Sequence, residues 1–354
     1  MKNRKNRAFS IKILYFVAIF IFLFPMISFS AEISHSGKIF KWRGISLHPK
    51  GHAGGDAFLD FCNRVRIMSN GRLDITPYLG GTLVPPKEAL DALKNGVVEI
   101  GALYGGYNLG KIPEAILECG LIGNMKSYVD EHAFWFYEGG GNKFMRESYS
   151  KFNIHFLNVT FGGPIGIISK KPIRKIEDFK GLKVRTAGTN ASLIEALGGK
   201  TVNFPVTEVY TALQLGTIDA ATYSDLSSYV AVGWHEVAKY AISGFFKFHG
   251  NTNICVNAAS WNSLPNDLKA IVENAAEIAC FLHEHYEVGR NAEARQIMEK
   301  AGCEIIELPS GDWEKIERIK QEVLTKEAGK SLRTAQAIKM YRDFMLKRGY
   351  KKIW

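Results

Sequence analysis

Beyond residue 38 the chain alternates between short runs of period-two hydrophobicity and longer segments of helical period. Phe40-Lys-Trp-Arg-Gly-Ile-Ser-Leu47 predicts a strand, Gly54 to Met68 a helix burying Phe58, Phe61, Val65 and Met68, and Leu73 to Pro77 a strand after the Ser69-Asn70-Gly71 turn. Asp130 to Tyr149 reads as helix broken by three glycines at 139–141, with Asn153 to Asn158 and Ile165 to Ser169 as strands. Ser263-Leu264-Pro265 opens a long helical pattern to about Ala301. A strand from Cys303 to Leu308 and helices over Trp313 to Lys326 and Thr334 to Arg348 follow. Strands interleaved with helices predict an α/β fold.

One unit occurs twice. Pro85-x-x-Glu88-x-x-x-Ala92-Leu93-x-x-Gly96-x-x-Glu99 recurs as Pro205-x-x-Glu208-x-x-x-Ala212-Leu213-x-x-Gly216-x-x-Asp219, displaced by 120 residues. In each copy Pro and an acid open a helix, Ala-Leu supplies its buried stripe, Gly ends it, and an apolar run starts the next strand. That distance is too long for a solenoid and predicts two similar α/β lobes.

Between the copies, Leu182-Lys-Val184-Arg185 reads as the end of a strand, Gly188 as a turn, and Asn190 as the cap of a helix closing at Gly198-Gly199. This sets the Arg185 guanidinium beside free backbone N–H groups at a strand end, an arrangement suited to a small carboxylate or phosphate. Tyr104 and Tyr107 stand at another strand end as candidates to line a cleft. The Gly105-Gly-Tyr-Asn-Leu-Gly110-Lys111 stretch is not a phosphate loop, because Ile112 replaces the hydroxyl residue and Pro113 has no amide to offer.

Composition narrows the function. Residues 1–30 read as an export signal: Lys2, Arg4, Lys5, Arg7 and Lys12 precede an apolar run from Ile13 to Phe24, and small residues end at Ser30-Ala31. The whole chain carries +10, and removing those five cations leaves 10 − 5 = +5. The excess sits partly in the tail, at Lys339, Arg342, Lys347, Arg348, Lys351 and Lys352, spaced as a solvated helix face; no nucleic-acid partner is expected. Five cysteines without C-x-x-C spacing give no zinc or redox motif. The histidines read as structural or solvated, with His283 and His285 on different helix faces. No Gly-x-Ser-x-Gly elbow supports an exported hydrolase.

Asn70-Gly-Arg-Leu73, Leu83-Val-Pro-x-x-Glu88, Gly181-Leu-Lys-Val-Arg185, Glu208-Val-Tyr-x-Ala-Leu-Gln214-x-Gly216-x-Ile-Asp219 and Trp261-x-x-Leu264-Pro265 together with the signal peptide resemble one family. It is that of the extracytoplasmic solute-binding proteins of tripartite ATP-independent periplasmic (TRAP) transporters, C4-dicarboxylate-binding type. The resemblance covers nearly the whole exported chain. It implies a two-lobed, type II-like periplasmic-binding-protein fold with a ligand cleft between the lobes and a long helix spanning both. Residues 31–161 and 252–285 are then expected in the first lobe, and 162–251 and 286–354 in the second, with a shared helix over 265–301. The partners implied are a small organic acid and the membrane permease subunits, in the periplasm; a membrane sensor fed by the same fold is the alternative.

Arg185 matches the family's arginine that forks onto the ligand carboxylate. Sialic-acid binders carry a second arginine where this chain has Ile165. Keto-acid binders hold a metal with the substrate at places that here read Pro164, Thr222 and about Gly250-Asn251; Asp225, Asn251 and Asn253 would have to substitute. No cofactor and no resident metal are therefore expected. With one arginine and aromatic neighbours Phe161, Phe204 and Tyr223, the expected ligand is a monocarboxylate with an apolar or keto-bearing body in preference to a C4-dicarboxylate, held by Arg185, Tyr223, Phe204, Tyr104, Phe161, Asn251 and Asp225.

Overall fold

The fold was analysed in a computed structural model that describes residues 38–119, 121, 125, 127–246 and 249–351. The expected signal peptide and Lys352 lie outside the described residues. The elements run β1 (Phe40–Ser46), α1 (Ala53–Met68), β2 (Leu73–Leu79), α2 (Ala89–Lys94), β3 (Ile100–Leu103), α3 (Tyr128–His132), α4 (Gly141–Ser150), β4 (Ile154–Pro164), β5 (Ile167–Ser169) and β6 (Lys183–Arg185). Then come α5 (Thr189–Ala196), β7 (Lys200–Val202), α6 (Val209–Leu215), β8 (Ala220–Ala221), α7 (Leu226–Ala231), α8 (Trp234–Val237), β9 (Tyr240–Ile242) and β10 (His249–Asn257). The chain closes with α9 (Ala258–Ser263), α10 (Asn266–Lys300), β11 (Glu304–Ile305), α11 (Ser310–Ala328) and α12 (Leu332–Lys347).

Two mixed sheets form, in the orders β2-β1-β3-β10-β4 and β11-β9-β5-β8-β6-β7. β1 is parallel to β2 and β3, whereas β10 returns antiparallel between β3 and β4. In the second sheet β6 lies between β7 and β8, parallel to both. The two lobes are thus an α/β pair. The repeated unit serves the same purpose in each. A short 3-10 turn after Pro85 or Pro205 leads into α2 or α6, Leu93 and Leu213 are fully buried, and β3 or β8 follows. Gly96 and Gly216 have φ of 70° and 74°, a conformation that favours glycine and turns the chain from helix to strand.

The long helix α10 has 35 residues, about 50 Å at 1.5 Å per residue. Leu268, Val272, Ala275, Ala276 and Ala279 pack into the first lobe, and Ala294 and Met298 into the second. Between them the buried stripe turns polar, at His283 and Glu287. The helix therefore joins the lobes by its apolar ends and passes polar groups behind the space between them.

Four readings need correction. Met68, expected on the buried face of α1, is 46% exposed at the helix end. Asn190 does not cap α5; Gly188, at φ 64°, occupies the N-cap, and Asn190 lies within the first turn. Segment 130–149 is divided by a π-turn over Ala133–Tyr137 as well as by the glycines. The terminal helix α12 does not pack with the second lobe as the division at 286–354 expected. Its Tyr341, Phe344 and Met345 join Phe134 and Trp135 in the first-lobe core, because an aromatic face needs an apolar partner and the π-turn presents one. Its basic residues form a solvated face, Lys347 meeting Glu138 and Arg348 meeting Asp130. All five cysteines are buried and unbridged. No described helix is long and apolar enough to cross a membrane.

Deep in the first lobe, Glu118 is 1% exposed and accepts hydrogen bonds from Tyr149 and, at 2.6 Å, from Asn253. Burial outweighs those bonds and pushes its carboxyl up to about 8 from 4.5. A carboxyl with a raised folded pKa stabilises in its protonated form, fully below about pH 4.5, and this contribution is lost as pH rises through about 8. Melting curves from pH 5 to 8.5 should therefore fall more steeply for wild type than for Glu118→Gln. Equal slopes would show that Glu118 is not held protonated.

Candidate functional site

β6 ends on Arg185 at the carboxyl end of a parallel strand, where open α/β sheets take ligands. The residue is 3% exposed, and chain atoms fix its guanidinium. Nε and Nη2 donate to the Phe204 carbonyl at 3.0 and 2.9 Å, and Nη1 donates to the Thr222 carbonyl at 3.1 Å. From the other lobe, the Tyr107 hydroxyl stands 3.4 Å from Nη2. Three of the five N–H donors are thus spent on carbonyls and a fourth on Tyr107, so one Nη1 N–H is open to a solute and the Nη2 N–H becomes so when the long Tyr107 bond is exchanged.

Arg185 lines a cavity of about 50 Å³ together with Leu47, Tyr104, Tyr107, Thr222, Tyr223, Asn251 and others. A water-sized group needs about 10–15 Å³ by this measure, so only a few heavy atoms fit. Among the described residues that line it, Arg185 is the sole charged one. The bottom is polar but neutral: Asn190 and Asn251 each bury an Oδ1 without a partner. A larger cavity of about 480 Å³ shares Leu47, Tyr107 and Tyr223 with it and is walled by the opening turns of both repeats, Pro85 to Glu88 and Pro205 to Thr207. Lys87 Nζ donates across it to the Asn203 carbonyl at 3.1 Å.

Three histidines stand at the seam. His48 Nδ1 lies 2.8 Å from the Tyr223 hydroxyl of the second lobe, and His52 Nε2 2.9 Å from Ser228 Oγ. His283, on α10, lies 3.2 Å from Thr160 Oγ1. Burial, reinforced for His48 by repulsion from His52 and His283 were these protonated and for His52 by His283 and Arg290, holds all three below the ordinary imidazole range, His283 at about 4. They are neutral at pH 7. His52 accepts from the Gly54 N–H at 3.1 Å, which capping bond puts its ring proton on Nε2. Ser228 passes the chain on to Glu287, whose carboxyl burial raises.

The expected site residues divide. Arg185, Tyr223, Tyr104 and Asn251 line the cavity. Phe204 supports Arg185 through its carbonyl, while its ring packs in the second-lobe core. Phe161 does not reach the site. On β4 adjacent side chains point to opposite faces, so Thr160 meets His283 while Phe161, fully buried, packs edge-on against Tyr128 in the first core. Asp225 lies behind the wall, bonded to Ser243 at 2.6 Å, with burial raising its carboxyl to about 7. Asn253 is bound to Glu118 and stands apart from the cavity. Sequence reading missed His48, His52 and His283; the His48-x-x-x-His52 spacing was the available signal.

The model of the bacterial extracellular solute-binding proteins, family 7, matches residues 46–330. The chain belongs to this family. It is an extracytoplasmic solute-binding protein of the TRAP transporter class, with the two-lobed fold of that class. A monocarboxylate 2-oxoacid-binding periplasmic protein of Nostoc is 28% identical over 306 residues, 86% of this chain and 84% of that one. A TRAP solute-binding protein of Bordetella bronchiseptica, solved with calcium and picolinate, superposes with a TM-score of 0.81 at 25% identity, covering 88% of this chain and 93% of its own. One from Colwellia psychrerythraea, with calcium and pyruvate bound, gives 0.77 at 28% identity, covering 88% and 95%.

Calcium does not fit the cavity of this chain. The ion takes six to eight oxygen ligands, carboxylates foremost, and no Asp or Glu lines the cavity among the described residues.

A buried carbonyl oxygen without a partner costs stability until a ligand satisfies it. Asn251→Ala should therefore melt no lower than wild type without solute, yet bind solute roughly 2- to 12-fold more weakly, the worth of one neutral hydrogen bond. A fall of several degrees in the solute-free melting point would give Asn251 a structural role instead.

Proposed function

We propose that this TRAP solute-binding protein captures a small monocarboxylate between its lobes, with Arg185 on the carboxylate, and hands it to the membrane permease. Export by a signal peptide cleaved near Ser30 brings it to the periplasm, and it binds without turning its ligand over. The observation that carries the reading is the cavity's charge: one immobilised cation, Arg185, and no lining anion. A monoanion neutralises it. A dicarboxylate brings a second negative charge with no partner, which burial penalises. The small volume points the same way. Among relatives, the Nostoc protein named for monocarboxylate 2-oxoacids supports this class of ligand.

Calorimetric titration with pyruvate, succinate and malate tests the class. Pyruvate should bind more tightly than either dicarboxylate; tighter succinate or malate would overturn the charge argument.

Arginine substitution tests the anchor. Lysine keeps the charge but offers a rotating point donor in place of a planar fork, and it cannot also hold the Phe204 and Thr222 carbonyls. One lost charge-assisted bond is worth about 1.5–3 kcal/mol, so Arg185→Lys should bind roughly tenfold to over a hundredfold more weakly, and Arg185→Ala more weakly still. Wild-type affinity in Arg185→Ala would sink the assignment.

A further inference from the structure

Two nitrogen atoms in the cavity wall have no partner. Nε2 of His48 and Nε2 of His283 are both buried and unbonded, on rings that line the same cavity as Arg185. The rings meet edge-on, centroids 5.5 Å apart. Gly54 permits this approach: a Cβ there would stand 2.9 Å from the first nitrogen and 2.8 Å from the second. Both nitrogens thus lie within 2.9 Å of one point beside Gly54, on two rings that line the cavity. His52 belongs to the same cluster, a ring nitrogen of each of the three histidines lying within 4.8 Å of the others, but both its nitrogens are bonded and its ring lies parallel to His48 at 4.0 Å.

The partners of the other ring nitrogens set the protons. Tyr223 meets Nδ1 of His48, and Thr160, itself 2.5 Å from Thr252 Oγ1, meets Nδ1 of His283. A hydroxyl proton given to each Nδ1 leaves the ring proton on Nε2, so the pair presents two N–H donors. A keto oxygen has two lone pairs to accept them. A calcium ion in the same place would lack the carboxylate oxygens it takes and would stand beside Arg185 with no lining anion.

We propose that His48 and His283 recognise the 2-oxo oxygen of a 2-oxo monocarboxylate directly, by two converging N–H bonds and without a metal ion. This rests on the monocarboxylate reading above and adds the group that selects among such acids. His48 and His283 then act as specificity residues, and Gly54 as the position that lets them converge.

The test compares pyruvate with propionate, which lacks only the 2-oxo group, by calorimetric titration of the purified protein in a chelator and with added calcium or zinc. Wild type should prefer pyruvate by roughly 5- to 150-fold, the worth of two neutral hydrogen bonds, unchanged by chelator. His48→Phe and His283→Phe, which keep a ring and lose the donor, should each cut that preference about 2- to 12-fold with propionate little affected. Gly54→Ala, whose Cβ crowds both nitrogens, should reduce it with both imidazoles intact; melting curves verify folding of all three. A preference retained in these variants would overturn the inference, as would equal weakening of both acids. A preference abolished by chelator and restored by calcium or zinc would transfer the role to a cation. Equal wild-type affinity for the two acids defeats this inference alone, whereas failure of both to bind defeats the monocarboxylate reading with it.

Discussion

Arg185 is a buried cation, and the site depends on how the chain makes that tolerable. A guanidinium removed from water needs its donors met by dipoles or by an anion. Phe204 and Thr222 supply two carbonyls, and they can do so because β6 lies between β7 and β8, whose chain continuations carry those residues. The Thr222 N–H in turn bonds the Arg185 carbonyl at 2.9 Å, tying backbone to backbone beneath the side chain. Sheet order thus fixes the fork before any solute arrives, which spares binding the entropy of ordering a long side chain.

The rest of the cleft is polar and uncharged, and α10 explains why. Its stripe carries His283 and Glu287 where the helix passes between the lobes, and burial keeps the imidazole neutral and raises the carboxyl. Ser227 and Ser228 bond to Glu287, and Ser228 also meets His52, so the seam is a chain of hydrogen-bonded polar groups behind the cavity wall. A charged wall would compete with Arg185 for the solute or repel it. A neutral wall leaves the arginine as the feature an anion responds to.

The two lobes were legible because the repeat at 85–99 and 205–219 is a local device, a Pro-opened, Gly-closed helix feeding a strand, and local devices are written in consecutive residues. Arg185 was legible for the same reason. The histidine pair was not, since His48 lies in the loop between β1 and α1 and His283 on α10, which packs against α1 and β4, and nothing in either neighbourhood encodes the other. Phe161 and Asp225 went astray on orientation. Each is adjacent in sequence to a residue in the site region, Thr160 or Ser224, but strand alternation sends Phe161 to the core and the turn before α7 sends Asp225 behind the wall. The placement of α12 depended on which aromatic face completes which core, a choice decided by tertiary packing alone.

Among the described residues, the contacts that join the lobes across the mouth include two between neutral groups, His48 to Tyr223 and His52 to Ser228, and two from a cation to a neutral oxygen, Arg185 to Tyr107 and Lys87 to Asn203. Net of the water each group gives up, the neutral bonds contribute about 0.5–1.5 kcal/mol apiece, the long Arg185–Tyr107 contact and the exposed Lys87 bond add little more, and closure also orders the side chains that make them. Closure without a solute is therefore close to balanced. A carboxylate on the guanidinium adds a charge-assisted interaction available only when both walls are in place, so its energy goes into the equilibrium between open and closed forms. A cleft held shut by a network of buried salt bridges would not respond in this way, because its closed form would persist whether or not it held an acid. The same balance favours release, since the permease needs to offer only a few kcal/mol of preference for the open form to draw the lobes apart.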